Sequence, residues 1–196
     1  MKEILFLHKS SVGSIELESE DGFITRLSFA SDKEFNTFYE SDKQKPFVLD
    51  LPSSLEILNS VQKENVFLDM PKIFKEAFLW LALYFLGENP EPLPPLKAQG
   101  TEFQKEVFKE LLMIPYGKTK TYGELAKNIA KKRQGRMSAQ AVGQAAGKNP
   151  IAIFIPCHRL IGAKGKLTGF SSGLDIKRKL LAIENSLPEE QKEQNL

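Results

Sequence analysis

The sequence predicts an α/β (α+β) chain in two parts, a small sheet with helices followed by a mostly helical part. Three observations carry this reading. Alternating apolar residues, broken by turn sequences, run from Ile4 to Phe29. Helical spacings dominate after Thr101. Between them, four of the chain's eleven prolines fall at positions 90, 92, 94 and 95, a density that neither a helix interior nor a central strand accommodates. The expected division is therefore 1–97 for the first unit with its Pro-rich linker, 98–185 for the second, and a polar tail over 186–196.

Composition narrows the class. At 41% hydrophobic and 27% charged, the 196 residues are ordinary for a globular protein. One cysteine excludes an internal disulfide framework or a zinc site built from several thiolates, and only His8 and His158 supply imidazoles. No metal or organic cofactor is expected. The apolar run Ile4–Leu7 is too short for a signal peptide, and Ala77–Leu86 is too short to span a bilayer. A soluble cytoplasmic protein is expected, nuclear if the source is eukaryotic.

Charge is uneven. Residues 1–100 carry 10 Lys/Arg against 16 Asp/Glu, whereas 101–184 carry 16 against 6. A basic half joined to an acidic one suits a polyanion partner, and equally an ordinary solvated lysine surface.

In order, Ile15 and Leu17, then Ile24, Leu27 and Phe29, read as strands of an antiparallel meander. Residues 31–50 are polar and give no clear element. Ser53 and Ser54 precede a helical spacing of Leu55, Leu58 and Val61. Pro71 suits the first turn of a helix over Lys72–Leu86, apolar nearly all round and thus the buried centre of the first unit. Trp80 belongs to that core.

Thr101–Gln104 and Thr121–Glu124 are capping boxes opening two helices. Phe103, Val107, Phe108, Leu111 and Leu112 form the inner face of the first, and Leu125, Ala126, Ile129 and Ala130 that of the second. A basic loop follows, with Lys131, Lys132, Arg133 and Arg136, and Ser138 caps a third helix over 139–146 that ends at Gly147. The last two helices with their loop resemble a helix-turn-helix. The third helix is built mainly of Ala and Gly, too short to reach base edges in a major groove. Small residues suit close approach to a minor groove, and they suit tight internal packing equally well.

The run Ile153–Ile155 reads as a buried strand stopped by Pro156, with Cys157, His158 and Arg159 at the turn beyond it. Cationic neighbours lower a thiol's pKa and make a nucleophile; a lone cysteine is more often a small buried hydrophobe. A final helix, Asp175–Glu184, places Ile176, Leu180, Leu181 and Ile183 inward and Lys177, Arg178 and Lys179 outward.

The ordered set Gly100-Thr101-x-Phe103-Gln104, Ile114-Pro115-Tyr116-Gly117, Thr121–Ala126, Ala141-Val142-Gly143, Asn149-Pro150, Pro156–Arg159 and Gly169–Leu174 closely resembles the O6-alkylguanine-DNA alkyltransferases over roughly 98–185. Residues 1–97 are only loosely similar to the family's variable N-terminal domain, which is ribonuclease H-like. The resemblance implies repair by direct reversal. A monomer binds duplex DNA containing O6-alkylguanine through the minor groove and flips the damaged base, at a cost of a few kcal/mol. It then takes the alkyl group irreversibly onto Cys157, with O4-alkylthymine a further possible substrate. His158 and Glu184 would be base and orienter, with Asn149 in the same network. On the residues alone, Glu184 reads as a solvated charge near a helix end and Asn149 as a turn residue. Tyr122 would promote base rotation, Ala141 and Gly143 would allow close approach, and Ser171 would supply backbone donors to the leaving guanine. The carbonyls of Cys157 and Leu160 would accept from the guanine amino group, and Arg159 would brace the domains or the loop.

Two positions depart from the family. Gln140 stands where many members carry an arginine finger; it can fill the vacated stack but lacks charge for the electronegative groove. Phe170 stands where a tyrosine often donates, so it stacks but cannot give a proton. Competing readings are a non-catalytic lesion-binding protein of the same fold, commonly with Trp for the cysteine, and a helix-turn-helix protein with a structural cysteine. A cysteine hydrolase is disfavoured because no second histidine is placed to serve.

Overall fold

The computed structural model describes residues 2–30, 47–50 and 69–188. The chain divides into two units, Met1–Ala98 and Gln99–Leu196.

The first unit is built on a four-stranded sheet. β1 (Lys2–Ser10), β2 (Gly13–Glu20) and β3 (Phe23–Ala30) form the expected antiparallel meander, turning at Gly13 and at Asp21-Gly22, all with positive φ. β4 (Phe47–Asp50) lies in a stretch the sequence left unassigned. It pairs parallel with β1, Leu5 opposite Phe47, giving the order β3-β2-β1-β4. β1 is thus interior, and Leu5, Phe6 and Leu7 are all buried, as suits a strand covered on both faces. The proline-rich segment also belongs to this sheet. Ile24 N–H donates to Pro95 O at 2.8 Å, and Lys97 N–H to Ile24 O at 2.9 Å. α1 (Lys72–Phe85) is the expected apolar helix, with Phe74, Ala77, Phe78, Leu81 and Tyr84 wholly buried and Trp80 stacked on Tyr84. Pro71 is its N-cap, one position before the expected first turn. The helix expected from Leu55, Leu58 and Val61 lies outside the described residues.

The second unit holds four helices among the described residues. α2 (Glu102–Leu112) and α3 (Tyr122–Arg133) start at Thr101 and Thr121, and both capping boxes are complete. α4 (Ala139–Ala146) is capped by Ser138, whose hydroxyl accepts from Ala141 N–H at 3.0 Å. Its small residues serve two surfaces. Val142, Ala145 and Ala146 are buried, while Ala139 and Gln140 stay exposed. A two-residue parallel pair, β5 (Lys120–Thr121) with β6 (Leu160–Ile161), ties the start of α3 to the chain beyond the cysteine. α5 (Leu174–Ile183) closes the unit.

Leu112, expected on the inner face of α2, is exposed, and two further expectations fail here. Ile153–Ile155 is buried as expected but is not a strand. Phe154 N–H bonds back to Ala152 O and Ile155 N–H to Ile151 O, so the run folds as successive turns. Ile153 sits at φ 67°, a region a β-branched residue rarely adopts. Burial and β-branching do not make a strand without a neighbouring edge to pair with. Lys177, expected outward on α5, is fully buried. Residues 177, 180, 181 and 184 follow the i, i+3, i+4, i+7 spacing of one helical face, and that face points inward.

Candidate active site

The site grows from the turn that replaces the expected strand. Asn149 organises it with one amide. Its Oδ1 accepts from Ile151 N–H at 3.0 Å, and its Nδ2 donates to Ile155 O at 2.8 Å and to Cys157 Sγ at 3.2 Å. The 3₁₀ turn Cys157–Arg159 follows, with all three side chains buried.

Behind the thiol lies a charged network. Glu184, at the C-terminal end of α5, shares a hydrogen bond with His158 Nε2 at 2.7 Å. Arg159 donates Nε to Glu184 Oε2 at 2.9 Å and Nη2 to Oε1 at 3.0 Å, and its Nη1 donates to Ile114 O at 2.7 Å. Gly117 N–H also donates to Glu184 Oε2, at 3.2 Å, and Tyr116 hydroxyl donates to Ile183 O. The Ile-Pro-Tyr-Gly turn therefore serves to hold the end of α5.

Burial alone would raise the Glu184 pKa, but the bonds and charges of His158 and Arg159 outweigh it and carry the carboxyl down to about 2. Burial holds His158 below its ordinary value despite Glu184. A neutral imidazole facing an ionised carboxylate keeps its proton on Nε2, which makes Nδ1 the basic nitrogen. Arg159 was expected to brace the domains or the loop. It is turned onto Glu184, because a buried carboxylate needs donors, and its Nη1 also holds the Ile114 carbonyl.

In front of the thiol is a cavity of about 530 Å³, sufficient for a small ligand. Cys157 reaches it from one side, Tyr122 from α3, and Ala139, Gln140, Gly143 and Ala146 from α4; the loop Thr168–Ser171 closes the remainder. Tyr122 hydroxyl donates to Gly169 O at 2.9 Å and lies 3.1 Å from Thr168 O. Gly169 adopts φ 51°, and a Cβ there would stand 3.3 Å from that hydroxyl, so glycine suits both backbone and contact. Burial, with the nearby Cys157, pushes Tyr122 up to about 12, and it stays a donor through the working pH range.

The thiol's electrostatics differ from the expectation. Burial pushes the Cys157 pKa up, opposed by the Asn149 hydrogen bond and by the charge of Lys177. His158 is neutral and Arg159 faces Glu184, so neither is the cation that acts on the sulfur.

A family model, the DNA-binding domain of 6-O-methylguanine DNA methyltransferase, matches residues 102–186. A methylated-DNA–protein-cysteine methyltransferase of Methanosarcina acetivorans is 49% identical over 126 residues, covering 64% of this chain and 78% of that protein. The chain belongs to the methylated-DNA–protein-cysteine methyltransferase family. Among solved structures, the Mycobacterium tuberculosis O6-methylguanine methyltransferase is 32% identical, with a TM-score of 0.65 and full coverage of both chains. A Mycobacterium tuberculosis OGT solved in complex with DNA is 34% identical, with a TM-score of 0.63 over 93% of each chain.

Within this family member, Cys157, Tyr122, Gln140, Gly143, Phe170 and Ser171 line one cavity, while His158, Glu184 and Asn149 stand behind the thiol. Ala141 does not reach it. It lines a second groove with Thr101, Phe103, Gln144 and Lys148, because it projects from another face of α4. Leu160 is wholly buried, its N–H bonded to Cys157 O. Lys131, Lys132 and Arg133, expected in a basic loop, form the last turn of α3; there Lys132 pairs with Glu110, and Arg133 Nε donates to Glu106 at 2.7 Å, so part of that charge is used internally. The sequence reading gave no site role to Thr168 or Lys177, and named Gly169 only as part of the Gly169–Leu174 motif. Heptad-like spacing with Leu180, Leu181 and Glu184 was the available signal for Lys177.

Proposed function

We propose that this methyltransferase repairs duplex DNA by direct reversal, moving the alkyl group of O6-alkylguanine to Cys157 in a single irreversible turnover. The observation that carries the reading is the thiol itself: the chain's one cysteine, at the wall of a base-sized cavity, with Asn149 bonded to its sulfur. The relatives' printed names describe that chemistry, and one solved relative binds DNA.

The sulfur attacks the alkyl carbon; the S–C bond forms as the C–O6 bond breaks. The thiol proton passes to His158, held in the right tautomer by Glu184, and ends on the restored guanine. The product is a thioether that ordinary reductants leave intact, so each chain acts once. Negative charge developing on the departing guanine meets the Tyr122 hydroxyl and the backbone donors around Ser171. Phe170 stacks on the base without donating. The carbonyls of Cys157 and Leu160 accept from the guanine amino group. Gln140 fills the space of the flipped base, and the small residues Ala141 and Gly143 let α4 lie close in the minor groove. The protein acts as a cytoplasmic monomer.

The test uses duplex DNA carrying O6-methylguanine with a labelled methyl group. Label appears on wild-type protein and not on Cys157→Ser; equal labelling of the two, or none on wild type, rejects the proposal.

A further inference from the structure

We propose that the second groove of this unit, on the flank of α4 away from the cavity, holds the sugar–phosphate backbone of the strand opposite the lesion, with Lys148 as its phosphate-binding cation. The proposal deepens the repair reading and rests on it.

α4 has three sides. Val142, Ala145 and Ala146 are buried and fix the helix to the protein. Gln140, Gln144 and Gly147, spaced i, i+4, i+7, form an exposed face. The cavity opens on one flank of that face, at Ala139, Gly143 and Ala146. A groove of about 490 Å³ opens on the other, at Ala141, Gln144 and Ala145, and Gly147 lines both. With the exposed face set into the minor groove, roughly 6 Å wide, the two backbones of the duplex run along the two flanks. The strand that gives up its base lies at the cavity, which leaves the complement for the groove.

The groove is built to donate. Its far wall is the start of α2, where the capping box uses up acceptors. Thr101 Oγ1 accepts from Gln104 N–H at 3.2 Å, and Gln104 Oε1 accepts from Thr101 N–H at 2.8 Å. Those bonds leave the Thr101 hydroxyl proton and the Gln104 amide nitrogen as donors. Gln144 adds a second amide and Lys148 an ammonium. The acidic residues on the adjoining turns of α2 carry their own cations, Glu102 with Lys105 at 3.0 Å and Glu106 with Arg133. Among the described residues Lys148 pairs with no carboxylate, so it sets the sign of the groove. Phosphodiester oxygens only accept, and they match such a surface; Ala141, Ala145 and the Phe103 ring offer an apolar floor to the sugar.

This cation also stands where the chain needs one. Gln140 brings no charge to the exposed face of α4, and Lys132 and Arg133 are engaged with Glu110 and Glu106. Lys148, two residues beyond the end of α4, restores attraction for the backbone on the flank.

The test places Lys148→Gln and Lys148→Arg on a Cys157→Ser background, so that the lesion survives in the complex. Lys148 is exposed, so neither change disturbs the core. The first reading is affinity for unmodified duplex as a function of salt. The Gln variant binds about three- to tenfold more weakly at moderate salt, and its slope of log affinity against log salt is shallower by about one; the Arg variant keeps both near the parent. The second reading assigns the strand. O6-methylguanine duplexes receive uncharged methylphosphonate linkages beside the lesion, either in the lesion strand or in its complement. With the complement neutralised, Lys148→Gln and its parent bind within about twofold of each other, because the cation has lost its phosphate. With the lesion strand neutralised, the Gln deficit persists. A deficit abolished by the lesion-strand linkages, or untouched by either set, overturns the proposal. Parental affinity in Lys148→Gln does the same and leaves the groove to another occupant. An absence of methyl transfer from wild type would count against the repair reading, while the salt slope on unmodified duplex would still judge Lys148.

Discussion

In the first unit, the described buried side chains are nearly all apolar, and the polar ones among them are two serines, Ser14 and Ser19. In the second, Glu110, His158, Arg159, Lys177 and Glu184 are all buried. Replacing buried ion pairs by packed apolar groups is often neutral or stabilising, so such residues are weak evidence of a need for stability. Four of the five gather around Cys157 or the loop facing it. The first unit is a core that holds itself together, whereas the second accepts the cost of desolvating charge in order to place a nucleophile, a base and a cation.

Glu184→Gln should break this contrast most severely. It leaves Arg159 buried without its carboxylate and removes the acceptor that fixes the His158 tautomer. We expect a loss of about 3–5 kcal/mol for the second unit and, in protein kept folded, at least about a hundredfold slower transfer. A stable, fully active variant would show that the network is ornamental.

Phe78→Ala supplies the control from the other unit. It empties a core position of α1 and should also cost about 3–5 kcal/mol, yet leave the transfer rate of folded protein unchanged. A transfer rate that fell in step with stability would contradict the division of labour.

Acid should act on the second unit through the same network. The folded Glu184 pKa near 2 lies below its ordinary 4.5, so its contribution is complete above about 4.5 and is lost as pH falls toward 2. His158, lowered in the folded state, adds a loss of the same sign as pH drops below its ordinary 6.5. Melting followed against pH should slope downward on the acid side, and the slope should flatten in Glu184→Gln. An unaltered slope would place acid sensitivity elsewhere.

Smaller effects sharpen the comparison. Thr101→Ala removes a complete capping box and should cost about 1 kcal/mol with little change in transfer. Gln140→Arg should raise duplex affinity about threefold at moderate salt by adding charge at the exposed face of α4; equal affinity would refute the reading of that position.

What the sequence disclosed follows from how local each feature is. The meander, the apolar α1, both capping boxes and the Ser138 cap depend on a few neighbouring residues, and each could be read directly. β4 could not, because a parallel partner is chosen by a crossover and not by its own four residues. The run 153–155 misled because its β-branched and aromatic composition predicts burial correctly and backbone shape wrongly; Asn149 instead bonds the backbone on either side of it, at Ile151 N–H and Ile155 O. Around the thiol, only the family resemblance grouped His158, Asn149 and Glu184 with Cys157; the residues alone read Glu184 as a solvated charge and Asn149 as a turn residue. The direction of Arg159 and the burial of Lys177 needed the fold, since a cationic side chain reads as solvent-facing until its helical face is matched with Leu180, Leu181 and Glu184.

The central claim is that Cys157 is a single-use acceptor. Its most direct test is to incubate the protein with excess O6-methylguanine duplex and follow intact and peptide masses over time. The account predicts a plateau at one methyl group per chain, carried by the peptide containing Cys157, together with restored guanine in the DNA. Repeated turnover, a methyl group on another residue, or unmodified protein beside intact lesion would contradict it.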